Sequence, residues 1–300
     1  MYVVTGATGN TGKVVAKQLL AAGQKVLAIG RSAERLQSLA KEGAQPVVAD
    51  ITDETALARA FSGAQAVYLM IPPDMASPDF LAHQRRITDA FVQAVKKSGV
   101  KHAVTLSSVG ADKTDKTGPI IGLRYLEQQI NAIEGLNVLH LRAGYFMENT
   151  LGQVGAIQAM GKTAGPVEGN VKLPMIATYD IGVAAADALR NLNFEGAQTR
   201  ELLGQRDLDY NEVTAIIGKA IAKPDLSYIR LTDEQARPAL SQLGFSASVA
   251  NALLEMSASL NSGHIRAQEK RSAQNTTPTS YETFIAQKFV PLYQAKAQAA

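Results

Sequence analysis

The chain has 300 residues, 46% of them hydrophobic, which exceeds the usual single-core size and allows a large nucleotide-binding domain with a smaller lobe. Thirty Lys and Arg against 27 Asp and Glu leave a net charge of +3 with no concentrated basic stripe, so direct nucleic-acid binding is not expected. The absence of cysteine excludes disulfides and thiol chemistry, the scattered His83, His102, His140 and His264 have no metal-ligand spacing, and no apolar run is long enough to span a membrane.

A short apolar strand at Tyr2–Val4 opens the chain with no leader pattern ahead of it, from which a cytoplasmic protein is expected. It runs into Gly6, Gly9 and Gly12, spaced i, i+3, i+6, and then into a helical pattern from Lys13 to Ala22. Strand, glycine turn and helix are what a phosphate cradle requires. Glycine lets a pyrophosphate approach the main chain, and the free N–H groups of the helix face the anion.

A second strand at Lys25–Ile29 ends in Gly30 and Arg31, followed by a helix over Ala33–Lys41. A third strand, Pro46–Ala49, ends at Asp50, and Glu54–Phe61 reads as a helix. Ala66–Ile71 is a buried strand stopped by Pro72 and Pro73, and Leu81–Val95 places Ile87, Phe91 and Val95 on one face of an amphipathic helix whose charges read as a solvated face. Strands at Val100–Leu106 and Val138–Leu141 continue the alternation. This pattern defines an α/β, doubly wound parallel sheet of Rossmann type over residues 1–150.

Residues 151–300 read as a smaller, mostly helical lobe for substrate or partner, with about 177–204 returning to the sheet. Lys172–Ile176 and Thr199–Leu203 are its strand-like runs, and Asp180 is read as the N-cap of a helix over Ile181–Leu192. Helical patterns follow at Tyr210–Ala222, Asp233–Leu243, Ser246–Leu260 and Ser280–Tyr293, and the tail Gln294–Ala300 is low in complexity and expected to fray.

Ligands of such sheets sit beyond the carboxyl ends of the strands. Those ends supply Gly6–Gly12, Arg31, Asp50, Met70–Pro73 with Ile71 among them, Ser107, Ser108 and the stretch Ala143–Asn149. NAD-specific sites usually have an acid at the second strand end; Arg31 there would instead pair with a 2′-phosphate, which favours NADP(H) over NAD(H). Asp50 is read either as a contact to the adenine edge or as a turn or capping residue.

The blocks Thr5–Gly12, Gly30-Arg31, Ser107–Gly110, Leu141–Asn149 and Ala177–Gly182 resemble the NmrA-like group of atypical short-chain dehydrogenases. The resemblance implies cofactor contacts at Gly6, Thr8, Gly9, Asn10, Thr11, Gly12 and Arg31, and a substrate cleft where the second lobe meets the sheet. The group includes NADPH-dependent quinone and triphenylmethane-dye reductases, and also non-catalytic NAD(P)-binding regulators that act through a protein partner.

The chain departs from the larger superfamily in its proton chemistry. Tyr125, in the helix where a Tyr-x-x-x-Lys pair is usual, is followed four residues later by Gln129, which supplies no cation. Tyr125 and Ser107 are therefore only weak catalytic candidates; the one is equally a plain helix residue and the other a strand-end cap. Tyr145, Phe146 and Asn149 offer an aromatic wall and an amide to a flat acceptor, or packing between the lobes. The resulting expectation is an NADPH-dependent reductase passing hydride to a quinone-like or other conjugated small molecule that obtains its proton from water. The alternative is an NAD(P) sensor that binds a protein partner.

Overall fold

The computed structural model describes residues 1–298. The first half alternates strands and helices: β1 (Tyr2–Val4), α1 (Asn10–Ala21), β2 (Val26–Gly30), α2 (Ala33–Lys41), β3 (Gln45–Val48), α3 (Glu54–Phe61), β4 (Ala66–Leu69), α4 (Phe80–Ser98), β5 (His102–Ser108), α5 (Ile120–Asn131) and β6 (Asn137–Ala143). The chain then leaves the sheet through β7 (Tyr145–Phe146), a 3₁₀ turn (Met147–Gly152), α6 (Gln153–Met160), β8 (Thr163–Gly165) and β9 (Leu173–Ile176). It returns in α7 (Thr178–Asn191) and β10 (Ala197–Leu202). After that come β11 (Arg206–Leu208), α8 (Tyr210–Ala220), β12 (Tyr228–Arg230), α9 (Asp233–Gln242) and α10 (Ala247–Asn261). The last helix runs from α11 (Tyr281–Phe284) through a π-helical turn (Ile285–Phe289) into α12 (Val290–Gln298).

Seven parallel strands lie in the order β10-β6-β5-β4-β1-β2-β3. Strand order reverses between β1 and β4, so the glycine turn after β1 stands at the switch point where such sheets open a ligand crevice. Burial on both faces explains the continuous apolar runs. Val4, Ala28 and Leu141 pack under Val15 and Leu19 of α1 and Ile181 and Leu189 of α7, while Val3, Val67 and Ala103 pack under Ile87 and Phe91 of α4 and Leu126 and Ile130 of α5. β3 is one of the two edge strands, opposite β10; it is mostly exposed and carries Pro46, a residue that edges tolerate.

The second lobe has its own core of Met147, Val154, Leu173, Met175, Val213, Tyr281, Phe284 and Phe289. It contains more strand than its sequence suggests: β11-β9-β7 form a three-stranded sheet and β12-β8 a two-stranded one. These strands are only two to four residues long, and β8 and β9 also carry Gly165 and Pro174, so they are too short to show an alternation.

Several boundaries move. α1 starts at Asn10, inside the glycine motif, and β5 includes Ser107 and Ser108 as its last residues. Asp180 is not an N-cap: α7 begins at Thr178, and Asp180 lies buried in its first turn. The cap comes instead from Glu148, whose carboxylate accepts from the Thr178 N–H at 3.1 Å and its hydroxyl at 2.5 Å. Burial raises the Glu148 pKa against those hydrogen bonds, which lower it. Residues 294–298 of the tail continue α12, and 299–300 lie outside the described residues.

Candidate functional site

The glycine turn sits at the carboxyl end of β1. Gly6 has φ +59°, where a Cβ would also stand 2.3 Å from Met70 Sδ. At Gly12 a Cβ would meet the Gly6 carbonyl oxygen at 2.3 Å, so this glycine holds α1 tightly against the turn. A Cβ on Gly9 would meet only the Gly6 oxygen, at 3.3 Å, and is otherwise unobstructed by protein. α1 has Gly9 at its N-cap, no side-chain cap and no acidic residue in its first turn, whereas α2, α3 and α4 are capped by Ser32, Asp53 and Asp79. An uncapped helix end presented by a turn too tight for side chains fits an anionic pyrophosphate. Thr8 and Asn10 flank that end, while the Thr11 hydroxyl is turned into the core and accepts from Tyr68 at 3.1 Å.

Beyond β2 and β3 lies a cavity of about 240 Å³ lined by Arg31, Asp50, Thr52, Pro73, His83 and Arg86. Asp50 closes a turn by accepting from the Thr52 N–H at 2.8 Å and its hydroxyl at 2.7 Å, and these bonds, more than nearby Arg31 and His83, hold its carboxyl below its usual pKa. It thus serves the turn and faces the cavity at once; the helix-capping role belongs to Asp53. Two cations were not legible as site residues. Arg35, in the first turn of α2, bonds the Thr8 carbonyl at 3.0 Å and so stands over the glycine turn. Arg86, part of what reads in sequence as a solvated face, shares the cavity with Arg31.

The second cavity, about 640 Å³, opens at the carboxyl ends of β4 and β5 and is walled on the far side by α10. Ile71, Ser107, Tyr145, Phe146 and Asn149 all line it. Its surface is mainly apolar, with Met70, Leu106, Leu123, Val249, Leu253 and Met256 among the contributors. Loop 72–79 is fastened to α10: the Ser246 N–H bonds the Met75 carbonyl at 2.9 Å, and Ser248 accepts from the Phe80 N–H at 3.0 Å.

At the floor, Ser107 donates to Glu127 Oε1 at 2.6 Å, and Arg142 grips the same carboxylate at 2.9 and 2.6 Å. Glu127 and Arg142 side chains are 6% and 16% exposed, so removing either would strand the other in the interior. Beside them His140 is buried between Thr105 (2.7 Å) and Asn131 (2.8 Å), and burial pushes its pKa down to about 4. A neutral ring with both nitrogens engaged is structural.

Tyr125 lies elsewhere. Its hydroxyl donates to Asp89 at 2.9 Å, Arg85 sits over its ring, and it lines neither cavity. The α5 residues that do reach the cleft or its floor are Ile120, Leu123 and Glu127, spaced about one turn apart. Helix periodicity explains the difference: a shift of two residues turns the helix by about half a revolution. Among the described residues no His, Asp or Glu group could hold a metal.

A parallel sheet with a glycine turn and an uncapped helix at its switch point, closed by a small lobe over an apolar cleft, defines a Rossmann-type dinucleotide-binding protein. The NmrA-like family profile matches residues 2–288, and the chain belongs to that family. It is 30% identical to an NAD(P)H azoreductase of Xenophilus azovorans over 85% of this chain and 86% of that one. It is 27% identical to quinone oxidoreductase 2 of Escherichia coli, covering 88% and 89%. Among solved structures, the triphenylmethane reductase of Citrobacter sp. in complex with NADP(H) superposes with a TM-score of 0.77 at 17% identity over 96% of this chain and all of that one (100%), a likeness of fold.

Proposed function

We propose that this protein is an NADP(H)-dependent reductase of flat, apolar, conjugated acceptors such as quinones or azo compounds. NADP(H) supplies the hydride when bound. Gly6, Gly9 and the α1 N-terminus hold the pyrophosphate, with Thr8 and Asn10 alongside, and Gly12 fixes the helix against the turn. Arg31, with Arg35 and Arg86 near it, receives the 2′-phosphate, Asp50 flanks the adenine, and Ile71 and Ser107 border the nicotinamide.

The observation that carries the reading is the cleft itself: about 640 Å³, mainly apolar, and opening beside the strand ends where a nicotinamide would lie. Phe146 and Tyr145 give a planar guest an aromatic wall. Leu123 and Glu127 stand in place of a tyrosine–lysine couple on α5, in keeping with an acceptor whose reduced form is protonated by solvent. The named activities of the azoreductase and quinone oxidoreductase relatives support the same class.

The test is purified protein with NADPH against a panel of quinones, azo dyes and triphenylmethane dyes, read by loss of nicotinamide absorbance. Acceptor-dependent oxidation is expected. Tight NADPH binding with no turnover on any acceptor would replace the enzyme by a cofactor sensor acting on a protein partner.

A further inference from the structure

Three hydroxyls line the large cleft: Ser107, Ser108 and Tyr145. Each carries one hydrogen, so each can donate to one partner only. Ser107 gives its hydrogen to Glu127 at 2.6 Å, and Ser108 gives its own to the Val109 carbonyl at 2.9 Å. Neither has one left for a ligand.

Tyr145 differs. Its hydroxyl lies 2.9 Å from that of Tyr210, and one of the two must donate to the other. Tyr210 is 4% exposed, stacked on Tyr228 at 4.9 Å between ring centres, and has no second hydrogen-bond partner among the described residues. If Tyr145 donated, the Tyr210 hydrogen would be buried without an acceptor, an arrangement that costs about 1–3 kcal/mol. With Tyr210 donating, both oxygens are satisfied and the Tyr145 hydrogen is free.

We infer that Tyr145 is a catalytic residue whose hydroxyl, backed by Tyr210, donates a hydrogen bond to the oxyanion formed when a carbonyl-type acceptor takes hydride. The inference rests on the reductase reading above. For a quinone, two electrons and one hydrogen arrive as hydride, NADPH becomes NADP⁺, and the product is a hydroquinone monoanion; solvent then supplies the proton. Burial raises the Tyr145 pKa, so the phenol keeps its hydrogen at neutral pH and acts as donor. The cations at the cleft are less suited: Lys172 is paired with Asp209 and Glu212, and Arg266 is exposed at the rim.

The test uses two acceptors that differ in charge. A cationic triphenylmethane dye becomes neutral on taking hydride and forms no oxyanion. Tyr145→Phe keeps the aromatic ring and is expected to lower kcat for a quinone by about tenfold or more relative to kcat for the dye, the lower end of what a preorganised oxyanion donor contributes. NADPH affinity measured beside it reports an intact cofactor site. A binding arm needs no cofactor: Tyr145→Phe is expected to weaken para-nitrophenolate binding about tenfold without affecting neutral nitrobenzene. Equal losses on quinone and dye, or on nitrophenolate and nitrobenzene, overturn the inference in favour of a packing role. No loss on either member of a pair also overturns it and passes the oxyanion to Arg266. Wild-type protein that binds NADPH yet reduces none of the acceptors sinks the reductase reading instead, and the nitrophenolate arm then decides the Tyr145 donor alone.

Discussion

Asp180 in α7 accepts both the backbone N–H and the hydroxyl of Thr279, at 3.0 and 2.6 Å, across 99 residues of chain. A buried carboxylate of the nucleotide-binding half thereby fastens the segment that leads into the last helix of the other lobe. Asp180→Ala is expected to destabilise the protein by about 1–3 kcal/mol, since it removes two charge-assisted bonds and leaves the half-buried Thr279 N–H without its acceptor. Urea unfolding measures this; an unchanged midpoint would mean that Thr279 is held by other contacts.

The glycines of the turn should separate by variant. Gly9→Val places its side chain where only the Gly6 oxygen is near, so the protein should fold while NADPH affinity falls at least about tenfold through loss of close phosphate approach. Gly12→Val meets backbone at 2.3 Å and should cost stability first. Calorimetric titration beside a melting curve distinguishes them. Normal affinity in folded Gly9→Val would reduce the motif to a turn.

Arg31 should set the cofactor preference. One charge-assisted pair to a 2′-phosphate is worth about 1.5–3 kcal/mol, so wild type should prefer NADPH to NADH by at least about tenfold and Arg31→Ala should lose most of that ratio. Titration of both cofactors is the measurement. A preference that survives Arg31→Ala would move the discrimination to Arg35 and Arg86.

His140 should make stability fall in mild acid. Its folded pKa, about 4, lies below the ordinary value of 6.5, so as pH drops the unfolded chain takes the proton first. The stabilisation is fully present above about pH 6.5 and is lost toward pH 4, on the order of 3 kcal/mol in all. Urea midpoints across that window, compared with His140→Gln, isolate the contribution. Identical pH slopes in the two proteins would remove it.

Tyr125 and Phe146 should give opposite kinetic signatures. Tyr125→Phe is expected to change kcat by less than about threefold, far from the 10²–10⁴ of a positioned acid, because its hydroxyl is bound to Asp89 outside the cleft. Phe146→Ala should raise KM for a bulky planar acceptor and leave kcat nearly intact. A collapse of kcat confined to Tyr125→Phe would restore ordinary short-chain dehydrogenase chemistry.

The parallel sheet was readable because buried strands such as Ala66–Leu69 appear as unbroken apolar runs and the helices between them keep a 3.6-residue period. Glycine spacing and the cation after β2 likewise marked the nucleotide end, since both are local in sequence. What escaped notice depends on distance. Arg86 reaches the Arg31 cavity from α4, Glu127 meets Ser107 and Arg142 from α5, and Asp180 meets Thr279 across the lobes; none of these pairings leaves a periodic trace. Nor could Tyr125 reveal which face of α5 meets the cleft, since helix phase cannot be fixed from one residue type alone.

The fastening of the cleft wall bears on the order in which the molecule can assemble. Phe80 meets Ser248, Ser77 meets Ser246 and Gly118 meets Glu255, at sequence separations of 168, 169 and 137. Every strand of the main sheet, by contrast, has been made once Leu202 is in place. A chain emerging from the ribosome can therefore complete its nucleotide crevice while the opposite wall of the acceptor cleft is still unsynthesised. Distant contacts of this kind also carry the largest loop-closure entropy, which makes docking of α10 a late step in refolding. Until it docks, Leu106 and Phe80 face water, and the half-made cleft is the apolar surface that the growing chain must keep from its neighbours.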